Sequence, residues 1–293
     1  MGGGRDAPLD MTALDRVRDS ARDGEPDRTI AALFAPADAR AGLLAVAGFA
    51  AEVGRIGSLV REPMMGEIRL QWWLDALTQG RAGARSGHPV ADALVDAVAR
   101  HALPLEPFER ILAARGADVA NQLFADDAAL EDYLAATEGL VFALSVAILA
   151  GPEAAAHPGL RSAGIAYGLA RGLGRLAPSL RHGAVLLPQA RLTEAGVSPE
   201  ALEQRPLAAG IEAAVETIAG GLELRARAAL DQARLALAGV ERAAWPALLP
   251  LAMVEPYFAV QNRKGHRRST EVVEPTPLTR LWRLWRGQRR GRF

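Results

Sequence analysis

The stretch "ADARAGLLAVAGFAAEVGRIGSLV", residues 37–60, constrains the fold more than any other. Its alanines, leucines and valines are not confined to one stripe, so a helix built from it is apolar around most of its circumference. Such a helix must be enclosed by others. The run "LVFALSVAILA", residues 140–150, makes the same demand. It falls short of the roughly 20 apolar residues that span a bilayer. Helical spacing recurs along the chain, and alternating patterns of strand length are missing. "DMTALDRVRDSARD" places Met11, Leu14 and Val17 on one face behind Asp10 as a cap, and "MGEIRLQWWLDALTQG" repeats the pattern with Ile68, Trp72 and Leu77. Further helices are predicted at about 90–101, 105–123, 128–150, 158–176, 199–204, 207–238 and 243–260. The reading is all-α: one large helical bundle around a central space, where bundles build their ligand sites. Residues 1–10 read as a loose N-terminus, 11–277 as the bundle and 278–293 as a basic tail.

The absence of cysteine excludes disulfides, thiolate metal sites and a cysteine nucleophile. "MGGGRDAPLD" has no apolar core of a secretory signal, so a cytoplasmic location is expected, with peripheral attachment to the inner face of a membrane. The five histidines form no metal-binding pair, and no nucleophile elbow or phosphate loop is present. Asp126, Asp127, Glu131 and Asp132 cluster in "FADDAALEDYL", where the first turn of a helix favours acids. In "EIRLQWWLDAL" Arg69 and Trp73 stand four apart, a spacing that permits stacking; simple packing would put Trp72 in the core and Arg69 outside.

"GIAYGLARGLGRLAPSLRHGAVLLP", residues 164–188, is a small-residue helix whose charges are all positive. Its bare side admits a close neighbour, either a second helix or a ligand. Arg171, Arg175 and Arg181 would meet an anionic head group there, or else solvent or an internal carboxylate such as Glu52.

This segment, "DRTIAALFAPADARAGLLAVAGFAAEVGRI" and "GEIRLQWWLDAL" resemble three successive landmarks of the squalene and phytoene synthase family, over roughly residues 27–260. The resemblance implies the all-α isoprenoid synthase fold. Active members join two prenyl diphosphates head to head, with magnesium held by two aspartate-rich helices. The first such motif falls on Ala51 to Ile56, where Glu52, Val53 and Ile56 take the aspartate positions. In the second, Gly164 and Ala166 match, Gly168 replaces a glutamine, and Gly183 and Leu187-Pro188 match again. Its two aspartate positions hold Arg175 and Ser179. An arginine in a ligand position repels a cation at short range.

The resemblance is therefore to a non-catalytic branch that includes a mitochondrial complex I assembly factor. It implies no catalytic residue, no metal and no cofactor. The degenerate prenyl-diphosphate pocket would comprise Glu52, Arg69, Gly164, Gly168, Arg171, Arg175 and Arg181, for a prenyl diphosphate or lipid. Protein partners would be respiratory complex I subunits or an active synthase. Magnesium belongs only to the alternative reading, a working head-to-head prenyltransferase; a non-catalytic subunit of such an enzyme is a further one.

The tail "LTRLWRLWRGQRRGRF" carries six arginines and no acid, although the chain as a whole is neutral. Leu278, Leu281, Trp282 and Trp285 fall at helical spacing among Arg280, Arg283, Arg286, Arg289, Arg290 and Arg292. Tryptophan suits the bilayer interface and arginine an anionic leaflet. Trp282, Trp285, Arg283 and Arg286 are thus candidate contacts to a membrane or partner, and the acidic body argues against nucleic acid. The bland alternative docks both tryptophans on the bundle.

Overall fold

The computed structural model describes residues 11–60, 62–182 and 186–293. The cap expected at Asp10, the loose first ten residues and Gly183 lie outside them. Among the described residues every regular element is helical. In order these are α1 (Met11–Gly24), α2 (Pro26–Ala32), α3 (Ala37–Gly54), α4 (Ile56–Leu59), α5 (Pro63–Arg81), α6 (Pro89–Arg100) and α7 (Glu106–Val119). Next come α8 (Asp127–Leu134), α9 (Leu140–Ala155), α10 (Gly159–Gly174), α11 (Leu176–His182), α12 (Gln189–Glu194) and α13 (Pro199–Glu203). The chain continues through α14 (Ala209–Ala236), α15 (Trp245–Leu248), α16 (Val254–Gln261) and α17 (Pro277–Arg290). Proline in the first turn starts α2, α5, α6 and α7, where its missing N–H costs nothing.

Two apolar clusters make the core. One gathers α9, α10, α14 and α16 around Phe142, Tyr167 and Phe258. The other gathers α3, α5, α6 and α7 around Phe49, whose ring meets those of Trp73 and Phe108 edge-on at 5.4 Å each. From Ala45 to Ala51 every residue of α3 is buried, as its composition requires.

Several expectations are corrected. On α5 the inward residue is Trp73, whereas Trp72 is 39% exposed and Ile68 54%. Two glycines set that rotation. A Cβ on Gly66 would lie 2.5 Å from Val119 of α7, and one on Gly80 would lie 2.3 Å from Val95 of α6. The valines fill the glycine gaps, so the glycine side of α5 must face in. On α1, Val17 and Ala21 point inward and Leu14 is exposed. The helix expected over 105–123 ends at Val119, with Asn121 beyond it in the left-handed region at φ 49°. Asp127–Ala155 and Arg242–Gln261 are both long and apolar enough to cross a membrane, contrary to the sequence expectation. Most of each is buried inside the bundle, 61% and 72% of the most apolar window.

Candidate functional site

The helical path from α8 to α9 widens at Ala135–Gly139 into one π turn. A π turn offsets the helix face, and such turns recur at functional sites. The turn is seated against α10. A Cβ on Gly164 would stand 2.3 Å from the amide nitrogen of Gly139 and 2.5 Å from its Cα. The smooth face of α10 therefore admits a neighbouring backbone at Gly164. One and two turns further on, Gly168 and Gly172 line a cavity of about 420 Å³. The small residues seat a backbone at one end of α10 and the ends of the lining side chains Leu134 and Leu186 at the other.

The polar floor of the cavity is a closed network of ions. Arg28 on α2 donates from Nη1 to Glu25 Oε2 at 3.0 Å and to Glu138 Oε2 at 2.9 Å. Arg115 on α7 reaches Glu138 Oε1 at 3.4 Å, Asp118 Oδ2 at 3.0 Å and the Tyr133 hydroxyl at 2.7 Å. Tyr133 in turn donates to Asp118 Oδ1 at 2.7 Å. Arg171 on α10 donates to Glu25 Oε1 and to the Gly24 carbonyl, both at 2.6 Å, and stands 3.9 Å from Glu138 Oε2. Burial opposes the charged form of Glu138, but Arg28, Arg171 and Arg115 outweigh it and hold its pKa at about 2. Burial likewise pushes the Tyr133 hydroxyl well above its ordinary value, so it stays a donor.

A second network lies beside the first. Asp27 has no exposed surface and accepts from Tyr167 at 3.0 Å, Tyr257 at 2.8 Å and Arg280 of α17. Arg280 also binds Glu274 Oε2 at 2.8 Å, and Glu274 Oε1 accepts from Arg175 at 2.8 Å. Arg175 stands on the cavity lining, so a chain of contacts runs from the cavity to the last helix.

The residues proposed from sequence divide as follows. Gly168, Arg171 and Arg175 line the cavity. Glu52 does not; it pairs with Arg55 at 2.5 Å and accepts from Ser20 at 2.7 Å. Arg69 is exposed on α5 and away from the cavity lining, while Trp73 is buried against Phe49, Trp72 and His88. Arg181 is exposed. Val53 and Ile56 are core residues, and Ser179 donates to the Arg175 carbonyl at 3.0 Å. The acids near residue 127 are dispersed among arginines: Asp127 with Arg191 at 2.6 Å, Glu131 with Arg225 at 2.5 Å and Asp132 with Arg161 at 2.5 Å. Asp126 caps α8, accepting from Ala129 at 2.9 Å.

On α17 the buried positions are Arg280, Leu284 and Gly287. Leu278, Leu281, Trp282 and Trp285 face outward, the two indoles 49% and 45% exposed. Arg283 and Arg286 lie over the Trp282 ring at 5.5 and 5.0 Å, and Arg289 over Trp285 at 5.1 Å.

Magnesium, which the fold family implies, does not fit the residues present. The ion needs a near-octahedral shell of oxygens. Here Glu25, Asp118 and Glu138 are each committed to guanidinium groups, and a dication among them would face Arg28, Arg115 and Arg171. Among the described residues no three acids or histidines form a metal-binding group.

The sequence reading missed Glu25, Asp27, Arg28, Arg115, Glu138 and Glu274. Glu138 had a signal: it is a lone acid two residues before the start of the apolar run 140–150.

Comparison with known proteins agrees with this architecture. Residues 21–281 match the family model for squalene/phytoene synthase. NADH dehydrogenase (ubiquinone) complex I, assembly factor 6 of Mus musculus is 24% identical over 265 residues, 88% of this chain and 77% of that protein. Its Homo sapiens counterpart is 26% identical over 250 residues, 84% and 72% of the two chains. Squalene synthase HpnC from Alicyclobacillus acidocaldarius superposes with a TM-score of 0.68 at 22% identity, over 87% of this chain and 94% of that one. A dehydrosqualene synthase in complex with ligand gives 0.73 at 14%, over 95% and 97%.

Proposed function

This chain belongs to the squalene/phytoene synthase family, and from that premise we propose that it is a non-catalytic member acting as an assembly or binding factor at a membrane surface. One observation carries the reading. Ionising a prenyl diphosphate with magnesium needs carboxylates free to hold the ion. In this cavity the carboxylates of Glu25, Asp118 and Glu138 are locked to Arg28, Arg115 and Arg171. Similarity to complex I assembly factor 6 over most of the chain supports respiratory complex I subunits as the partners.

The test is genetic. A strain lacking the gene is expected to lose assembled complex I on native gels and to regain it with the wild-type gene; unchanged complex I in the deletion strain refutes the assembly role. Purified protein given farnesyl diphosphate and magnesium is expected to yield no squalene or phytoene, and multiple-turnover product refutes the non-catalytic reading.

The membrane surface is supported by α17, which turns two indoles and their stacked arginines outward. Each arginine near an anionic leaflet contributes about 1 kcal/mol. Changing both Arg283 and Arg286 to glutamine is expected to weaken binding to phosphatidylglycerol vesicles by roughly 30-fold in flotation. Point variants are the right tool, because deleting α17 would also strip Arg280 from Asp27. Equal flotation of wild type and double variant, or none by either, would remove the membrane from this proposal.

A further inference from the structure

We propose that the cavity receives an uncharged, chain-like apolar ligand with one small polar end, and that Glu138 is the residue that bars its anionic equivalent. The inference is independent of the assembly role.

Three guanidiniums converging on one point form a strong anion cradle. In this molecule the cradle is already filled from within. The Glu138 carboxylate accepts from Arg28 at 2.9 Å and Arg115 at 3.4 Å, with Arg171 at 3.9 Å. Glu25 and Asp118 hold Arg171 and Arg115 on their other sides. Three acids thus stand against three bases, and the floor offers an entering phosphate no net positive charge.

Nor can Glu138 swing aside readily. It belongs to the π turn, whose Gly139 backbone is seated against Gly164. Its own carbonyl accepts from Arg28 at 3.4 Å. A displaced carboxylate would be left buried and unpaired, a costly state. At the cavity edge Arg175 is likewise engaged, by Glu274 at 2.8 Å.

Of the other charged lining residues, Arg55 is paired with Glu52 at 2.5 Å and Asp23 with Arg22 at 3.7 Å, and the remaining wall is largely apolar. Ala50, Ala51, Leu134 and Leu186 line the space with Gly168 and Gly172, a mostly apolar surface of the kind that binds small ligands. The Ser58 and Ser179 hydroxyls donate to the carbonyls of Arg55 and Arg175, at 2.8 and 3.0 Å. Each oxygen keeps acceptor capacity for an incoming O–H.

The test uses the full chain, without magnesium, and a ligand pair differing in charge: farnesol and farnesyl diphosphate, titrated calorimetrically. Wild type is expected to bind farnesol at least tenfold more tightly than the diphosphate. Glu138→Gln, with folding checked by circular dichroism, is expected to gain at least tenfold in diphosphate affinity. Gly54→Leu is expected to weaken farnesol binding at least tenfold. Gly54 lines the cavity, and a Cβ there meets its nearest neighbour, Arg115, at an ordinary 3.5 Å; folding of this variant is checked in the same way. Should Glu138→Gln not fold, the wild-type comparison and Gly54→Leu still decide. Equal or tighter binding of the diphosphate by wild type, binding of neither ligand, or unchanged farnesol affinity in Gly54→Leu would overturn the proposal.

Discussion

Replacing Asp27 with alanine is expected to lower the melting temperature by on the order of 10 °C, from a loss of about 3–5 kcal/mol. Asp27 is fully buried and is the common acceptor for Tyr167, Tyr257 and Arg280. Its removal leaves a guanidinium with only 4% exposure facing one fewer carboxylate, and leaves the Tyr167 hydroxyl without the acceptor it now uses. Reduced compensation of a buried charge, which keeps only Glu274, together with the lost hydroxyl acceptor, sets the size of the effect. Two controls sharpen it. Asp132→Ala breaks an ion pair whose acid is 70% exposed, so it should cost under about 1 kcal/mol. Asp27→Asn combined with Arg280→Gln should cost less than the sum of the two single changes, because the two side chains share one buried contact. An Asp27→Ala melting curve within 2 °C of wild type, on the scale of about 2–4 °C per kcal/mol, would show that the network contributes little.

The second large effect is expected at Gly164. A leucine there drives its Cβ onto the amide nitrogen and Cα of Gly139, and backbone cannot rotate away as a side chain can. Helix α10 and the π turn must separate, at a cost of about 3 kcal/mol or more. Gly172→Ala is the informative contrast. Its Cβ would come within 2.0 Å of Leu186 Cδ1, the far end of a flexible side chain that can turn aside. Urea denaturation should place Gly172→Ala within about 1 kcal/mol of wild type and Gly164→Leu far below it. Similar midpoints for the two would mean that the bare face of α10 is not held against the π turn.

The elements most legible in the sequence were those whose cause is local. The enclosure of α3 followed from alanine on every side, and the start of α8 from acids at a first turn. The bare face of α10 was visible as a pattern of glycines, and so was the question of what lies against it. Its answer was not visible, because Gly139 and Gly164 meet only in the folded bundle. For the adjacent tryptophans at 72 and 73, the helical spacing of Ile68, Trp72 and Leu77 picked the wrong one to turn in. That choice rests on two valines from other helices filling gaps at Gly66 and Gly80. The ion networks were least legible. Arg28 and Glu138 are 110 residues apart, and no spacing rule links them. Arginine in an alanine-rich helix reads as a solvated face until the carboxylate opposite it is known.

The tie between Asp27 and Arg280 spans 253 residues, and this separation has a consequence in time. On a ribosome adding 5–20 residues per second, Asp27 waits roughly 10–50 s for its cation to be made. The nascent bundle can gather its apolar helices in that interval, with the Asp27 carboxylate held by the Tyr167 and Tyr257 hydroxyls but without its cation until α17 docks. Docking neutralises that charge, and the same movement fixes Trp282 and Trp285 on the outside. A chain that presents the Trp-Arg surface in this pose is therefore one whose interior has already been sealed. The pose of the Trp-Arg surface is thus set by the same late contact that gives the Asp27 carboxylate its cation.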